Sequence, residues 1–199
     1  MFIINYKINH RFQSKNMKNI LLISALLILS ISLNAQRYTT KNGFVGFYSH
    51  TPMEDIKADN NQVASIIDIT TGDVVFLINN KSFIFERALM QEHFNENYME
   101  TEKYGKTTFK GKIADFSFVT LSKPGIYNVK AEGKMDMHGV VKTIAVSGTI
   151  EVTSDGLIAK STFQVKPEDY GIIIPNLVRE KIANEMQVTV NIKYPNPVK

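Results

Sequence analysis

The feature that most constrains the fold of this chain is a regular alternation of apolar and polar residues in its second half. The segment YNVKAEGKMDM (127–137) has an apolar or small residue at every odd position and a polar or charged residue at every even one. Segments 144–152, 157–165 and 186–194 repeat this pattern with few exceptions. A period of two is that of a β-strand with one buried and one solvated face. The second half of the chain is therefore predicted to be a series of strands.

Tight turns separate these strands and set the predicted topology. Thr71-Gly72-Asp73, His138-Gly139 and Ser154-Asp155-Gly156 lie between apolar runs and supply residues that tolerate positive φ. Less regular strands are predicted over 44–48, 63–69, 74–79 and 107–113. Short connections favour antiparallel neighbours in up-and-down order. About eight such strands hide their edges best by closing on themselves. The predicted fold class is all-β, an antiparallel β-barrel.

Two segments break the period of two and predict short helices that cap or flank the barrel. Residues 86–98 carry Met90, Phe94 and Tyr98 at helical spacing, with Leu89 beside them. Residues 175–185 carry Val178 and Ile182 in the same way, and Pro175 suits the start of a helix.

The first 35 residues differ in character from the rest. Residues 20–33 form an apolar run, with Lys18 before it and Ala35, a small residue suited to signal-peptidase cleavage, just after it. This order is typical of a secretory signal peptide. The run of 14 residues is shorter than the ~20 that span a bilayer, so a membrane anchor is the weaker alternative. We expect a leader over 1–35, with translation starting at Met17, and one barrel domain over 36–199, exported to the periplasm or secreted.

Charge and cysteine content narrow the choice of partners. The chain has 23 basic and 19 acidic residues, but four of the basic ones lie in the predicted leader, which leaves 19 against 19 in the remainder. Nucleic-acid binding needs an excess of Lys and Arg, so no nucleic-acid partner is expected. A surface without net charge does not oppose self-association, which leaves a homodimer open. The absence of cysteine excludes disulfides and thiolate chemistry.

No motif in the sequence indicates catalysis or a resident cofactor. The sequence has no GxSxG elbow, no P-loop and no GxGxxG loop. His50, His93 and His138 are far apart in sequence and none has metal-ligand spacing. A metal site assembled from the three by the fold is the remaining alternative. We therefore expect that the protein is not an enzyme and that it binds no metal and no cofactor.

The apolar residues predict either a filled core or a cavity. A barrel of about eight strands is just wide enough to fill with side chains or to hold one small ligand. Gly133, Gly148, Ala131 and Ala159 fall on inward faces and are expected to leave room. Flexible Met side chains suit a pocket for a long apolar ligand. The predicted lining consists of Phe76, Phe94, Phe109, Tyr127, Met135, Met137, Ile150 and Phe163.

Three stretches of the sequence resemble the YceI-like family of exported bacterial proteins. They are HFNENYMETEKYGKTTFKGK (93–112), GKMDMHGVVKT (133–143) and STFQVKPEDYGIIIP followed by NLVREKIANEMQVTVNIKY (161–194). The resemblance implies a lipocalin-like barrel that binds a polyisoprenoid or a similar amphiphilic lipid in its interior. It carries no catalytic residue with it.

The leading interpretation is therefore a periplasmic protein that binds or carries a long apolar lipid, namely a polyisoprenoid, an isoprenoid quinone or a fatty-acid-like molecule. The bound lipid is the only non-protein component expected. The rival interpretation is a non-catalytic envelope interaction protein with a filled barrel core that contacts its partner through the outer face.

Overall fold

Eight long antiparallel strands close into a barrel in residues 37–114 and 116–196, which are the residues that the structure, a computed structural model, describes. The strands are β1 (Arg37–His50), β2 (Asp55–Asp68), β3 (Asp73–Asn79), β5 (Lys106–Ile113), β6 (Gly125–Met137), β7 (Val140–Thr153), β8 (Gly156–Val165) and β9 (Met186–Pro195), with a two-residue strand β4 (Ile84–Phe85). The sheet order is β1-β9-β8-β7-β6-β5-β3-β2-β4, and β1 also pairs with β2. The predicted up-and-down barrel is confirmed.

The period of two fixes which side chains face the interior. In β6 the half-buried and buried positions alternate with exposed ones over the whole strand. β6 pairs with β7 from Gly125–Val152 to Met137–Val140 without a register shift. The two strands are joined by His138 and Gly139, whose φ values of 53° and 76° are both positive. Positive φ at both central residues is typical of a type I′ turn, whose twist matches that of the two strands it joins.

One end of the barrel is filled by side chains. The chain between β5 and β6 includes a 3₁₀ turn at Phe116–Phe118. Phe116 and Val119 are buried there in the same apolar cluster as Tyr38, Val152 and Leu157, which come from the strand ends on this side. We call this the closed end. The connections at the opposite end, β1–β2, β3–β5, β6–β7 and β8–β9, surround the interior without a comparable plug.

The helical segments are only partly as predicted. Helix α1 (Ala88–His93) runs on into a π-helical turn (Phe94–Tyr98), so the first predicted helix exists in shortened form. The second, over 175–185, is wrong, because only Asn176–Val178 forms a 3₁₀ turn. The amide of Ala183 donates to Ser49 Oγ, 2.9 Å away on β1, instead of continuing a helix. Ile172 and Ile174, which come just before this segment, are buried, and the chain is not helical there.

The predicted leader, residues 1–35, lies outside the described residues. In the part of the chain that the structure describes, no helix is both long and apolar enough to cross a membrane.

Candidate functional site

A cavity of about 540 Å³ occupies the barrel from the open end inward. All eight long strands contribute inward-facing side chains to its wall, and nearly all of these are apolar. The β1–β2 turn, α1 and the β8–β9 connection surround its mouth through Glu54, Leu89 and Val178. The floor is reached at Ile67 and Tyr194, near the closed end. The cavity thus extends from the open end of the barrel to a floor near the closed end.

Seven of the eight predicted lining residues border this cavity. Six of them lie on strands β3, β5, β6, β7 and β8, and Phe94 lies on the π-helical turn. They are Phe76, Phe94, Phe109, Met135, Met137, Ile150 and Phe163. Tyr127 does not border the cavity: it packs against the core near the closed end. Its hydroxyl donates to the carbonyl oxygens of Thr120 and Lys123, at 3.3 and 3.0 Å.

The small residues predicted to leave room act in two different ways. Ala131, Ala159 and Gly148 line the cavity as expected. Gly133 does not: a Cβ at this position would lie 2.3 Å from the Cα of Gly111 on β5. Gly133 therefore permits a close approach of two strand backbones rather than a wider interior.

Four phenylalanine rings hold the helical segment against the mouth. Phe94 packs on Phe47, Phe83 and Phe85, with centroid separations of 5.6, 5.7 and 5.1 Å. The Phe47 pair is stacked, the Phe83 pair is edge-on and the Phe85 pair is tilted. Aromatic pairs of these kinds add to the stabilisation that comes from burying the rings. The backbone amide of Phe85 also donates a hydrogen bond to Gln91 Oε1 on α1, at 3.2 Å. This phenylalanine cluster (Phe47, Phe83, Phe85 and Phe94) forms one side of the cavity entrance.

Most charged residues that border the cavity lie at the mouth, and the exception, Lys160 on β8, pairs with Glu151 at 3.2 Å. Arg87, at the start of α1, forms an ion pair with Glu54 in the β1–β2 turn, and both border the opening. Lys181 and His93 border it from the β8–β9 connection and from α1. A ligand bound in the cavity would thus meet apolar groups along most of its length and charged groups mainly at the entrance.

The floor of the cavity is neutral. Tyr194 and Ser65 are both buried, and their hydroxyl oxygens lie 2.6 Å apart. Ser65 Oγ donates to the carbonyl oxygen of Val75 at 2.8 Å, so the Tyr194 hydroxyl donates to Ser65. Burial raises the pKa of Tyr194 far above its ordinary value, which keeps the phenol uncharged. Burial also raises the pKa of Tyr98 in the upper wall.

Two further polar residues of the wall, Thr107 and Asn80, are hydrogen-bonded within the protein. Thr107 Oγ1 donates to Asn80 Oδ1 at 2.9 Å, and Asn80 Nδ2 donates to the carbonyl oxygen of Tyr104 at 2.7 Å. Since the side-chain oxygen and the side-chain nitrogen of Asn80 both make hydrogen bonds within the protein, neither needs a ligand as a partner. The wall is therefore suited to an apolar chain rather than to a polar solute.

The three histidines have separate environments. His50 Nδ1 lies 2.6 Å from Asp55 Oδ1, and His93 borders the mouth. His138 places Nδ1 3.1 Å from the carbonyl oxygen of Tyr170 and Nε2 3.0 Å from Glu100 Oε2. Within the described ranges, no group of three or more His, Cys, Asp or Glu side chains is arranged to hold a metal ion.

His138 connects three segments at the open end. Its side chain is only 9% exposed, and its ring packs on Tyr104 with 4.2 Å between centroids. The β6–β7 hairpin is thereby attached to Glu100 in the chain before β5 and to Tyr170 in the β8–β9 connection. The residue is a structural anchor beside the mouth, not a lining residue.

We expect His138→Asn to lower the free energy of unfolding by about 1–2 kcal/mol, the usual contribution of one or two hydrogen bonds. Asparagine suits a turn position with positive φ, so this substitution keeps the turn and removes the imidazole ring with its hydrogen bonds and its contact with Tyr104. Denaturant unfolding, with Glu100→Ala and the double variant completing a cycle, measures the coupling. Wild-type stability of His138→Asn would contradict the anchoring role.

The sequence prediction missed several cavity residues. Phe47, Phe83 and Phe85 line the mouth but were not assigned. The signal for two of them is present, because Phe83 and Phe85 flank Ile84 with a period of two. That segment is only two paired residues long in the structure, which is too short to stand out as a strand.

A closed, eight-stranded antiparallel barrel with an apolar pocket open at one end defines the lipocalin-like class of barrels. Within that class, the sequence matches the YceI-like domain over residues 37–194, and the chain belongs to this family. No curated protein matches the sequence.

Solved structures share the fold at low sequence identity. A polyisoprenoid-binding domain from Saccharophagus degradans, implicated in plant cell wall breakdown, has a TM-score of 0.72 and 16% identity, with 82% of this chain and 100% of that one covered. Burkholderia cenocepacia BcnA has a TM-score of 0.63 and 14% identity, with coverages of 75% and 94%. The Campylobacter jejuni YceI protein has a TM-score of 0.57 and 14% identity, with coverages of 75% and 90%. These likenesses establish the common fold.

Proposed function

We propose that this protein binds one long, single-chain apolar lipid, isoprenoid or acyl, with the chain in the barrel and the polar end at the mouth. The observation that carries the proposal is the apolar pocket, whose floor is at Tyr194 and whose opening is beside Arg87. The polyisoprenoid-binding domain that shares this fold supports the same class of ligand.

The size of the cavity supports a single chain. At roughly 30 Å³ for a group the size of a water molecule, a volume of about 540 Å³ accommodates roughly 18 groups of methylene size. Each buried methylene contributes ~0.8 kcal/mol, so a chain of that length gains on the order of 14 kcal/mol before the costs of association. Those costs offset several kcal/mol and leave a favourable balance.

The cavity argues against the rival interpretation. An interaction protein with a filled barrel would have side chains where this barrel is open, and only the closed end is filled in that way. Binding rather than catalysis is proposed because the polar groups of Tyr194, Thr107 and Asn80 in the wall are bonded to other protein groups. The lipid is the only ligand proposed, without a metal or a cofactor.

We further propose that the protein is exported and works in the periplasm or as a secreted protein. The support is the order of Lys18, the apolar run over 20–33 and Ala35, which is typical of a cleaved leader. In such a compartment a long apolar chain needs a protein to shield it from water.

Native mass spectrometry tests both proposals in one measurement. The full-length gene is expressed, and the protein is purified without detergent and then extracted with solvent. We expect the mass of residues 36–199 plus a discrete excess that extracts as one single-chain lipid per protein. A ligand-free mass that does not change after incubation with prenyl and acyl lipids would refute the binding proposal. An uncleaved chain would refute the export proposal without affecting the first.

A further inference from the structure

The open end of the barrel carries exposed apolar side chains from three segments. Met53 lies in the β1–β2 turn, Leu89 on α1, and Ile173 and Leu177 in the β8–β9 connection. Ile173 is 80% exposed and Leu177 is 93% exposed. We call these four residues the mouth rim.

The mouth rim is continuous with the cavity lining. Leu89 itself borders the cavity, and each of the other three is adjacent in sequence to a residue that does. In the β8–β9 connection, Ile172 and Ile174 point into the barrel while Ile173 between them points away. The apolar surface therefore passes from the interior to the outside around the opening. Protruding apolar groups in this position mark an interaction site rather than a surface without function.

We propose that the mouth rim inserts into the surface of a lipid bilayer, so that the ligand moves between membrane and cavity without crossing water. This inference rests on the proposed function, because the partner is chosen as the phase in which such a ligand dissolves. Separate apolar side chains that project among charged neighbours fit the interfacial region of a bilayer. A protein partner would instead need a broad complementary surface with a buried apolar centre.

The charges around the mouth rim indicate how the bilayer would be bound. Arg87 pairs with Glu54, Arg179 lies 3.3 Å from Glu168, and Lys181 follows Glu180 directly in the chain. Because these groups largely neutralise each other, attraction to anionic lipids is not the main driving force. Insertion of the apolar side chains is the main driving force, so binding to the bilayer should depend little on salt concentration.

The test uses wild-type protein and the double variant Ile173→Ser/Leu177→Ser, neither residue being part of the cavity wall. Protein loaded with 11-dansylamino-undecanoic acid is mixed with phosphatidylcholine vesicles, and transfer is followed by fluorescence. We expect the transfer rate to increase linearly with vesicle concentration and to be at least tenfold lower for the double variant. The affinity for the probe in solution should be unchanged. Ile126→Ser, which removes a 68% exposed residue at the closed end, should transfer at the wild-type rate.

Three results would overturn the inference. They are a rate independent of vesicle concentration, a wild-type rate for the double variant, and a wild-type dimer that dissociates in the double variant without a change in transfer. The last would identify the mouth rim as a contact between two copies of the chain. Co-sedimentation of ligand-free protein with the same vesicles tests insertion even if the probe does not bind. Failure of the proposed function and failure of membrane docking are therefore distinguishable.

Discussion

Replacing Phe163 by glutamate should lower lipid affinity at least 100-fold, while Thr162→Glu on the same strand should leave it unchanged. Phe163 faces the cavity between β7 and β9, whereas Thr162 is exposed on the outer wall. A carboxylate in the apolar pocket must either stay charged without a partner or take up a proton, and either state costs several kcal/mol in the presence of an apolar ligand. Titration with a fluorescent fatty acid measures the affinity, and the thermal unfolding temperature Tm reports whether each variant folds.

A second substitution removes the risk that Phe163→Glu simply fails to fold. Ala159 lines the cavity and lies opposite Ile150 and Ile192 in the sheet. Ala159→Phe should fill part of the cavity without adding charge, so we expect ligand binding to be lost while Tm stays the same or rises. If both variants fold and still carry lipid, the ligand does not occupy the barrel interior.

The regular strands explain how much of the site could be read from the sequence. Met135, Ile150 and Phe163 lie on strands with a clear period of two, which assigns each side chain to one face of the sheet. The same rule failed for Tyr127, because alternation gives the face but not the depth along the barrel axis. Tyr127 lies close to the start of β6, where the closed end is already filled by Phe116 and its neighbours.

The parts that could not be predicted depend on contacts between distant segments. The first half of β2, with the sequence DIKADNNQ, is polar and lacks a strand signal, yet residues 55–60 pair with β1. Residues 175–185 have apolar residues at helical spacing, but Ser49 on β1 binds the amide of Ala183 and the barrel mouth fixes the course of the chain. Tertiary contacts override local propensity in both places.

Gly133→Ala should be among the most destabilising single methyl additions in this chain, at about 3 kcal/mol or more. The new Cβ would lie 2.3 Å from Gly111 Cα and 2.4 Å from the carbonyl oxygen of Lys110, and both of these atoms belong to the backbone of β5. No side-chain rotation relieves such a contact, so β5 and β6 must separate. Denaturant unfolding of the two proteins gives the free-energy difference directly.

Gly125→Ala is the matched control, because it adds the same methyl group to the same strand. The nearest atoms to its Cβ are in the Tyr127 ring at 3.7 Å, an ordinary contact distance, so its stability should stay within about 0.5 kcal/mol of wild type. Phe109 and Met135 pair across the β5–β6 seam two residues from Gly133, and both line the cavity. Strand separation at Gly133 should therefore also weaken lipid binding. Equal stability of the two alanine variants would show that close backbone contact at this seam does not hold the barrel closed.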